Sequence, residues 1–278
     1  MGAPSTRRRV SDDETASTLS PEPAGPSISR VYKAPAWMDF GAFRGFRVNF
    51  TTYDAFVSML MVHQDTVNIW SHLLGFFYFA HAALTLQLAE GTGWATWAIF
   101  YLFLGCAQAQ MLTSVLYHTL RCVTKWTSEA FLYIDMVGIV CMIAGSYVVG
   151  MSLGFYCSPA TAATYLGVEA CLLAFAMQCV SRALADPERW IHAYLSMGAA
   201  VAFGALPLFQ IYVSLTQHAD LNLDTETLFR WGLGMFGNYF LGAFLVSPFL
   251  PLHSLLPTNP PMLTSAHTFS SSSSSISR

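Results

Sequence analysis

The sequence predicts an all-α fold, a polytopic helix bundle in a membrane. Hydrophobic residues make up 54% of the 278 residues and charged residues only 10%, where a soluble domain carries about 25% charge. The mean hydropathy is +0.46. Six apolar runs, at about 69–89, 96–119, 131–155, 160–180, 191–215 and 229–250, are each long enough to cross roughly 30 Å of hydrocarbon, some of them with tilt.

Residues 1–30 are polar and rich in Pro, Ser and Thr. Such a stretch buries too little apolar surface to fold alone and is expected to be a disordered tail. Its Arg8-Arg9-Val10-Ser11 string suits a basophilic kinase, although strings of this kind are common by chance. No N-terminal signal peptide is expected, because the first apolar run begins after residue 50. Residues 31–67 mix Trp37, Phe40, Phe43, Phe46 and Phe50 with Asp39, Arg44 and Arg47. Within them, Asp54–Val62 is apolar but too short to span, so it reads as an interfacial lead-in lying against the bundle. The bundle itself occupies 68–250. Short loops between the runs make consecutive helices antiparallel neighbours. Residues 251–278 follow, with a serine run from Ser270 to Ser275, and read as a low-complexity tail.

Lys and Arg set the orientation. Arg7, Arg8, Arg9, Arg30, Lys33, Arg44 and Arg47 precede the first run. Arg121 and Lys125 lie between runs two and three, and Arg182 and Arg189 between runs four and five. Loops 90–95 and 156–159 carry none, and the loop before run six holds Asp220, Asp224 and Glu226 with only Arg230 at its edge. Basic loops inside place the N-terminus in the cytoplasm.

The six cysteines are spread singly through mostly apolar stretches. They read as small buried hydrophobes and not as a disulfide framework or a zinc finger. Nucleotide-binding motifs are absent, and no basic run is long enough to suggest nucleic acid. The partner these features imply is the lipid bilayer, with an integral, multi-pass location.

Chemistry concentrates in Met111–Val140. Ser114 and His118 are four apart, so they share a helix face. Asp135 lies in the next run, across a short basic loop. Ionisable groups inside a membrane are costly and point to function. A hydroxyl, an imidazole and a carboxylate meeting there suit a metal or proton role: His118 as a ligand, Asp135 holding a water, Ser114 as a neighbouring donor. A lone His bonding across helices is the plain alternative. His72, His81 and His192 form no i, i+4 pair with one another, and His253 and His267 fall in the tail. Glu169, in run four, either faces a cavity or pairs with a hydroxyl. Asn68 and Trp70 stand where the first run meets the interface.

The stretch His63–Gly75, HQDTVNIWSHLLG, resembles the first-helix motif of the progestin and adipoQ receptor (PAQR) family, which includes adiponectin receptors and haemolysin III-like proteins. Gly45-Phe46-Arg47 resembles that family's Gly-Tyr-Arg step. Ser114-x-x-x-His118 and Asp135-x-x-Gly138-Ile139 resemble its next block, and Gly237, Tyr239, Gly242 and Ala243 its penultimate helix. The resemblance covers about residues 35–245. It implies a seven-helix fold with a zinc site near the cytoplasmic face. One ligand is a histidine from helix two, here His118, and two come from a His-x-x-x-His motif in helix seven. Asp135 becomes the water-holding carboxylate. The resemblance also implies ceramidase-like hydrolysis of lipid amides, and receptor roles for lipid, steroid or adiponectin-like ligands. After Leu245 this chain reads Val246-Ser247-Pro248 and then the tail, so the seventh helix is expected to be missing, as in a truncated or mispredicted product. Three readings follow: a zinc-dependent hydrolase with an incomplete site, a lipid- or hormone-binding receptor, and an inactive product that pairs with other copies. Homo-oligomers stay open on any of the three.

Overall fold

Helices follow the apolar runs, and a short two-stranded antiparallel sheet precedes them among the described residues. The computed structural model describes residues 25–29, 45–217, 229–230 and 232–238. Strand β1 (Ser27–Ser29) pairs antiparallel with β2 (Phe46–Val48), Ser27 opposite Val48. Strand β1 thus lies inside the stretch read as an unfolded tail, and β2 supplies its backbone partners. Gly45, just before β2, has φ +116°, a conformation glycine adopts without strain. Its carbonyl accepts from the Gln64 N–H at 3.2 Å.

The lead-in is a short helix, α1 (Thr52–Val57), continued by a 3-10 turn at Ser58–Leu60. A capping box starts α1. The Thr51 hydroxyl accepts from the Asp54 N–H at 3.2 Å, and the Asp54 carboxylate accepts from the Thr51 N–H at 3.0 Å. Phe50 and Ala55 pack against Leu120 and Cys122, while Tyr53, Leu60 and Val62 stay exposed. The segment thus packs one face on the bundle and leaves the other exposed.

Then come α2 (Thr66–Thr85), α3 (Trp94–Leu120), α4 (Lys125–Gly154), α5 (Pro159–Ala185), α6 (Trp190–Phe203) and α7 (Ala205–Gln217). The loops are short, and α2/α3, α3/α4, α4/α5 and α5/α6 all pack together. Among the described residues, four stretches are long and apolar enough to cross a membrane: α3, α4, α5 and Trp190–Ser214, which joins α6 to α7. At 20 residues, α2 has the length as well, though Asn68, Ser71, His72 and His81 dilute its apolar character. Pro159 opens α5, where a missing N–H costs nothing. The fifth run is divided at Gly204 because Pro207 cannot donate to Phe203 four residues back. Of the sixth run, 229–230 and 232–238 are described, and these residues are helical. Its remainder, and both tails, lie outside the described residues.

The core grows from one face of α4. Ile143, Tyr147, Met151 and Phe155 recur every four residues and pack on Ala162, Leu173 and Ala200. The seam between α3 and α4 is closer. A Cβ on Gly138 would overlap Thr113 Oγ1 and lie 3.0 Å from Gln110 Cα, and one on Gly145 would lie 3.1 Å from Cys106 Cβ. Small residues seven apart let the two backbones approach, as at many helix contacts in membranes. All six cysteines are free, Cys122 and Cys179 buried.

Candidate functional site

The close α3/α4 seam brings Ser114 and Asp135 together. Both are buried, and the Ser114 hydroxyl donates to Asp135 Oδ2 at 3.4 Å. Asp135 Oδ1 is buried with no hydrogen-bond partner among the described residues. His118 is one turn beyond Ser114 on α3. Its Nδ1 sits 3.1 Å from Asp65 Oδ1. A carboxylate only accepts, so this contact favours the tautomer with hydrogen on Nδ1 and leaves Nε2 as the lone-pair nitrogen. The His72 ring lies 6.1 Å from that of His118, and His72 Nδ1 donates to the Asn68 carbonyl at 2.7 Å. The Asn68 amide is 3.5 Å from His118 Nδ1. Trp70 ties α2 to the lead-in, its indole N–H donating to the Met59 carbonyl at 2.8 Å.

Behind His118 stands a hub that sequence reasoning missed. Arg47 is fully buried. Its Nη2 donates to Asp65 Oδ2 at 2.9 Å and to the His118 carbonyl at 2.6 Å. Its Nη1 donates to the Thr119 carbonyl at 2.9 Å and to Ser58 Oγ at 3.1 Å. Arg121 Nη1 donates to Asp65 Oδ1 at 3.2 Å. One arginine of the lead-in thus caps the carbonyls that end α3, and one carboxylate binds two arginines and the histidine. Burial alone would raise the acid's pKa, but the hydrogen bond from His118 and the guanidiniums of Arg121 and Arg47 outweigh it and hold Asp65 well below the usual carboxylate range. Asp65 is also the N-cap of α2, yet its side chain caps no N–H, because it is turned to the arginines. Only the family-like Gly45-Phe46-Arg47 and His63–Gly75 stretches hinted at this pairing.

His63 fixes the turn that carries Asp65. Its Nε2 donates to the Ser58 carbonyl at 3.0 Å and its Nδ1 accepts from the Asp65 N–H at 3.1 Å. Only the neutral ring can do both. Burial, then the nearby Arg47 charge, push its pKa down to about 4. A histidine whose folded pKa is depressed stabilises the fold fully above its unfolded value, about 6.5, and that contribution is lost as pH falls toward 4. Thermal unfolding in detergent is therefore expected to weaken between pH 6.5 and 4, and His63→Gln to flatten the dependence in that window. An unchanged slope in the variant would assign it to other groups.

Glu169 is buried on α5 beside the Tyr147 hydroxyl, which donates to the Ala200 carbonyl at 3.1 Å. It stands apart from the Ser114–His118–Asp135 grouping. His81 is exposed on α2, and His192 lies at the start of α6. No group of three or more His, Cys, Asp or Glu side chains able to hold a metal occurs among the described residues. His253 and His267 lie outside them. Among the described residues the donors at this seam are His118, with the Asp65 carboxylate behind it, and Asp135 beside Ser114. They do not make a closed zinc site, which needs three protein ligands.

The profile of haemolysin-III related proteins matches residues 60–270. The chain belongs to this family. Heptahelical transmembrane protein 1 of Arabidopsis thaliana is 28% identical over 174 residues, 58% of this chain and 52% of that protein. Progestin and adipoQ receptor-like protein 1 of Caenorhabditis elegans is 27% identical over 230 residues, 78% of this chain and 51% of that protein. The adiponectin receptor protein of Drosophila melanogaster is 33% identical over 143 residues, 50% of this chain and 32% of that protein. The chain is thus a PAQR-family, integral multi-pass membrane protein. It spans about half the length of the first two relatives.

Proposed function

We propose that this PAQR-family protein carries, at the α3/α4 seam, part of a zinc-dependent site of the lipid-amide-hydrolase type, with His118 as the ligand position and Asp135 as the water-holding carboxylate. The observation that supports the reading is the paired arrangement of the two acids. Asp65 binds His118 Nδ1 and leaves Nε2 for a metal. Asp135 keeps one buried oxygen unpartnered beside Ser114. Zinc bound in such a site lowers the pKa of its water and polarises a carbonyl. The protein's own part is to orient His118, to hold Asp135 against Ser114 and to exclude water between packed helices. The described donors do not close the shell, so hydrolysis requires ligands from beyond them.

The alternative is a receptor that binds a lipid, a steroid or an adiponectin-like ligand without a metal. It is favoured by an apolar cavity of about 110 Å³ among α4, α6, α7 and the 232–238 helix, lined by Tyr147, Met151, Leu208, Ile211 and Phe236. Ser114, His118 and Asp135 do not line it. Zinc measured by mass spectrometry in the purified full chain separates the two readings. One zinc per protein, lost in His118→Ala and kept in Asp135→Asn, supports the hydrolase type. Zinc-free protein from zinc-supplemented cells rejects it and leaves the receptor reading.

A further inference from the structure

A second feature lies at the same end of the bundle as Arg121 and Lys125, between α5 and α6. The helices run antiparallel, so the α5 C-terminus and the α6 N-terminus share that end. A groove of about 520 Å³ there is lined by Phe175, Cys179, Arg182, Arg189, His192, Leu195, Ser196 and Ala199. The spacing explains the groove. Residues 175, 179 and 182 fall at i, i+4 and i+7 along α5, while 192, 195, 196 and 199 fall at i, i+3, i+4 and i+7 along α6, so each set is one helix face. Polarity is graded along it. Arg182, Arg189 and His192 gather at the basic end, and Phe175, Leu195 and Ala199 extend toward the membrane interior. Phe175 and Leu195 are 54% and 65% exposed.

Arg182 enters no ion pair among the described residues. Arg189 gives its Nε–H to Asp186 Oδ2 at 2.8 Å, one donor of five. Neither Asp186 nor Glu188 lines the groove, although both lie in the same loop. We propose that the α5/α6 groove binds an anionic glycerophospholipid, its phosphate between Arg182 and Arg189 near His192 and an acyl chain along Phe175 and Leu195. Basic pockets between helices on the cytoplasmic side suit such headgroups. Arginine grips phosphate through several parallel donors. A second copy of the chain is a poorer occupant, since a symmetric contact through this face sets Arg182 and Arg189 against their own counterparts.

Native mass spectrometry of the full chain, delipidated in detergent, tests the proposal with dioleoylphosphatidylserine, dioleoylphosphatidylcholine and inorganic phosphate as probes. Phosphatidylserine is expected to bind at least tenfold more tightly than phosphatidylcholine. Arg182→Gln/Arg189→Gln should weaken it roughly 30-fold, at about 1 kcal/mol for each arginine. Lys125→Gln, an exposed cation outside the groove, should leave it unchanged. Arg182→Gln alone, which breaks no ion pair among the described residues, should lose about fivefold and keeps the test open if the double variant misfolds. Equal binding of the two lipids, or a preference that survives both variants, overturns the proposal. So does displacement of the lipid by equimolar inorganic phosphate, which would make this a free-phosphate site.

Discussion

Arg47→Met is expected to destabilise the protein by about 3–5 kcal/mol, the range for breaking a buried ion pair by removing one partner. Arg47 is buried and gives four hydrogen bonds. Two go to carbonyls at the end of α3, one to Ser58 in the lead-in and one to Asp65. Methionine fills similar volume, so the loss isolates the polar bonds from a cavity. The carbonyls of His118 and Thr119 would lose their donor in a buried setting, and Asp65 would keep only Arg121 and His118 against its own burial. Arg47→Lys should recover little, because one ammonium cannot reach acceptors that the guanidinium fork spans from two nitrogens. Denaturant unfolding in detergent measures all three. The double variant Arg47→Met/Asp65→Leu should cost clearly less than the sum of its singles, since removing both partners leaves no orphaned charge between them. Strict additivity, or Arg47→Lys as stable as the unmodified protein, would refute the hub as the lock between lead-in and bundle.

The hub also marks where sequence reading reaches its limit. Helix positions were legible because each is a long apolar run, and hydropathy alone sets it. Ser114 and His118 were legible because four residues is one turn. Asp135 could be placed beside them because a short loop forces α3 and α4 into an antiparallel pair. Arg47 was counted among the cationic residues that orient the chain, yet it is buried and paired with Asp65. Its partners are 11, 18, 71 and 72 residues away. The break at Gly204 is legible in Pro207 and not in hydropathy, because the run stays apolar through it. The α5/α6 groove is likewise a property of two helix faces. In sequence, Arg182 and Arg189 look like ordinary interfacial cations.

Gly138→Val is expected to destabilise the protein by about 3 kcal/mol or more. Gly138 lies one turn from Asp135, and its hydrogen faces α3. A Cβ there overlaps Thr113 Oγ1, which can rotate, and lies 3.0 Å from Gln110 Cα, which is backbone and cannot. The helices must separate, and overpacking of this kind costs about 1–3 kcal/mol. Alanine should fall at the low end and valine, with a branched carbon against the same backbone, at or above the high end. The separation acts first on the Ser114–Asp135 contact, which at 3.4 Å is already long for a hydroxyl–carboxylate bond. Stability and site geometry are therefore coupled at this glycine. Thr113→Ala should partly rescue Gly138→Ala, because it removes the side-chain clash. It should rescue Gly138→Val much less, because the clash with Gln110 remains. Thermal unfolding of the two double variants beside their singles reads this out. Full rescue of both would locate the whole contact in the Thr113 hydroxyl, and no rescue of either would place it in the backbones alone.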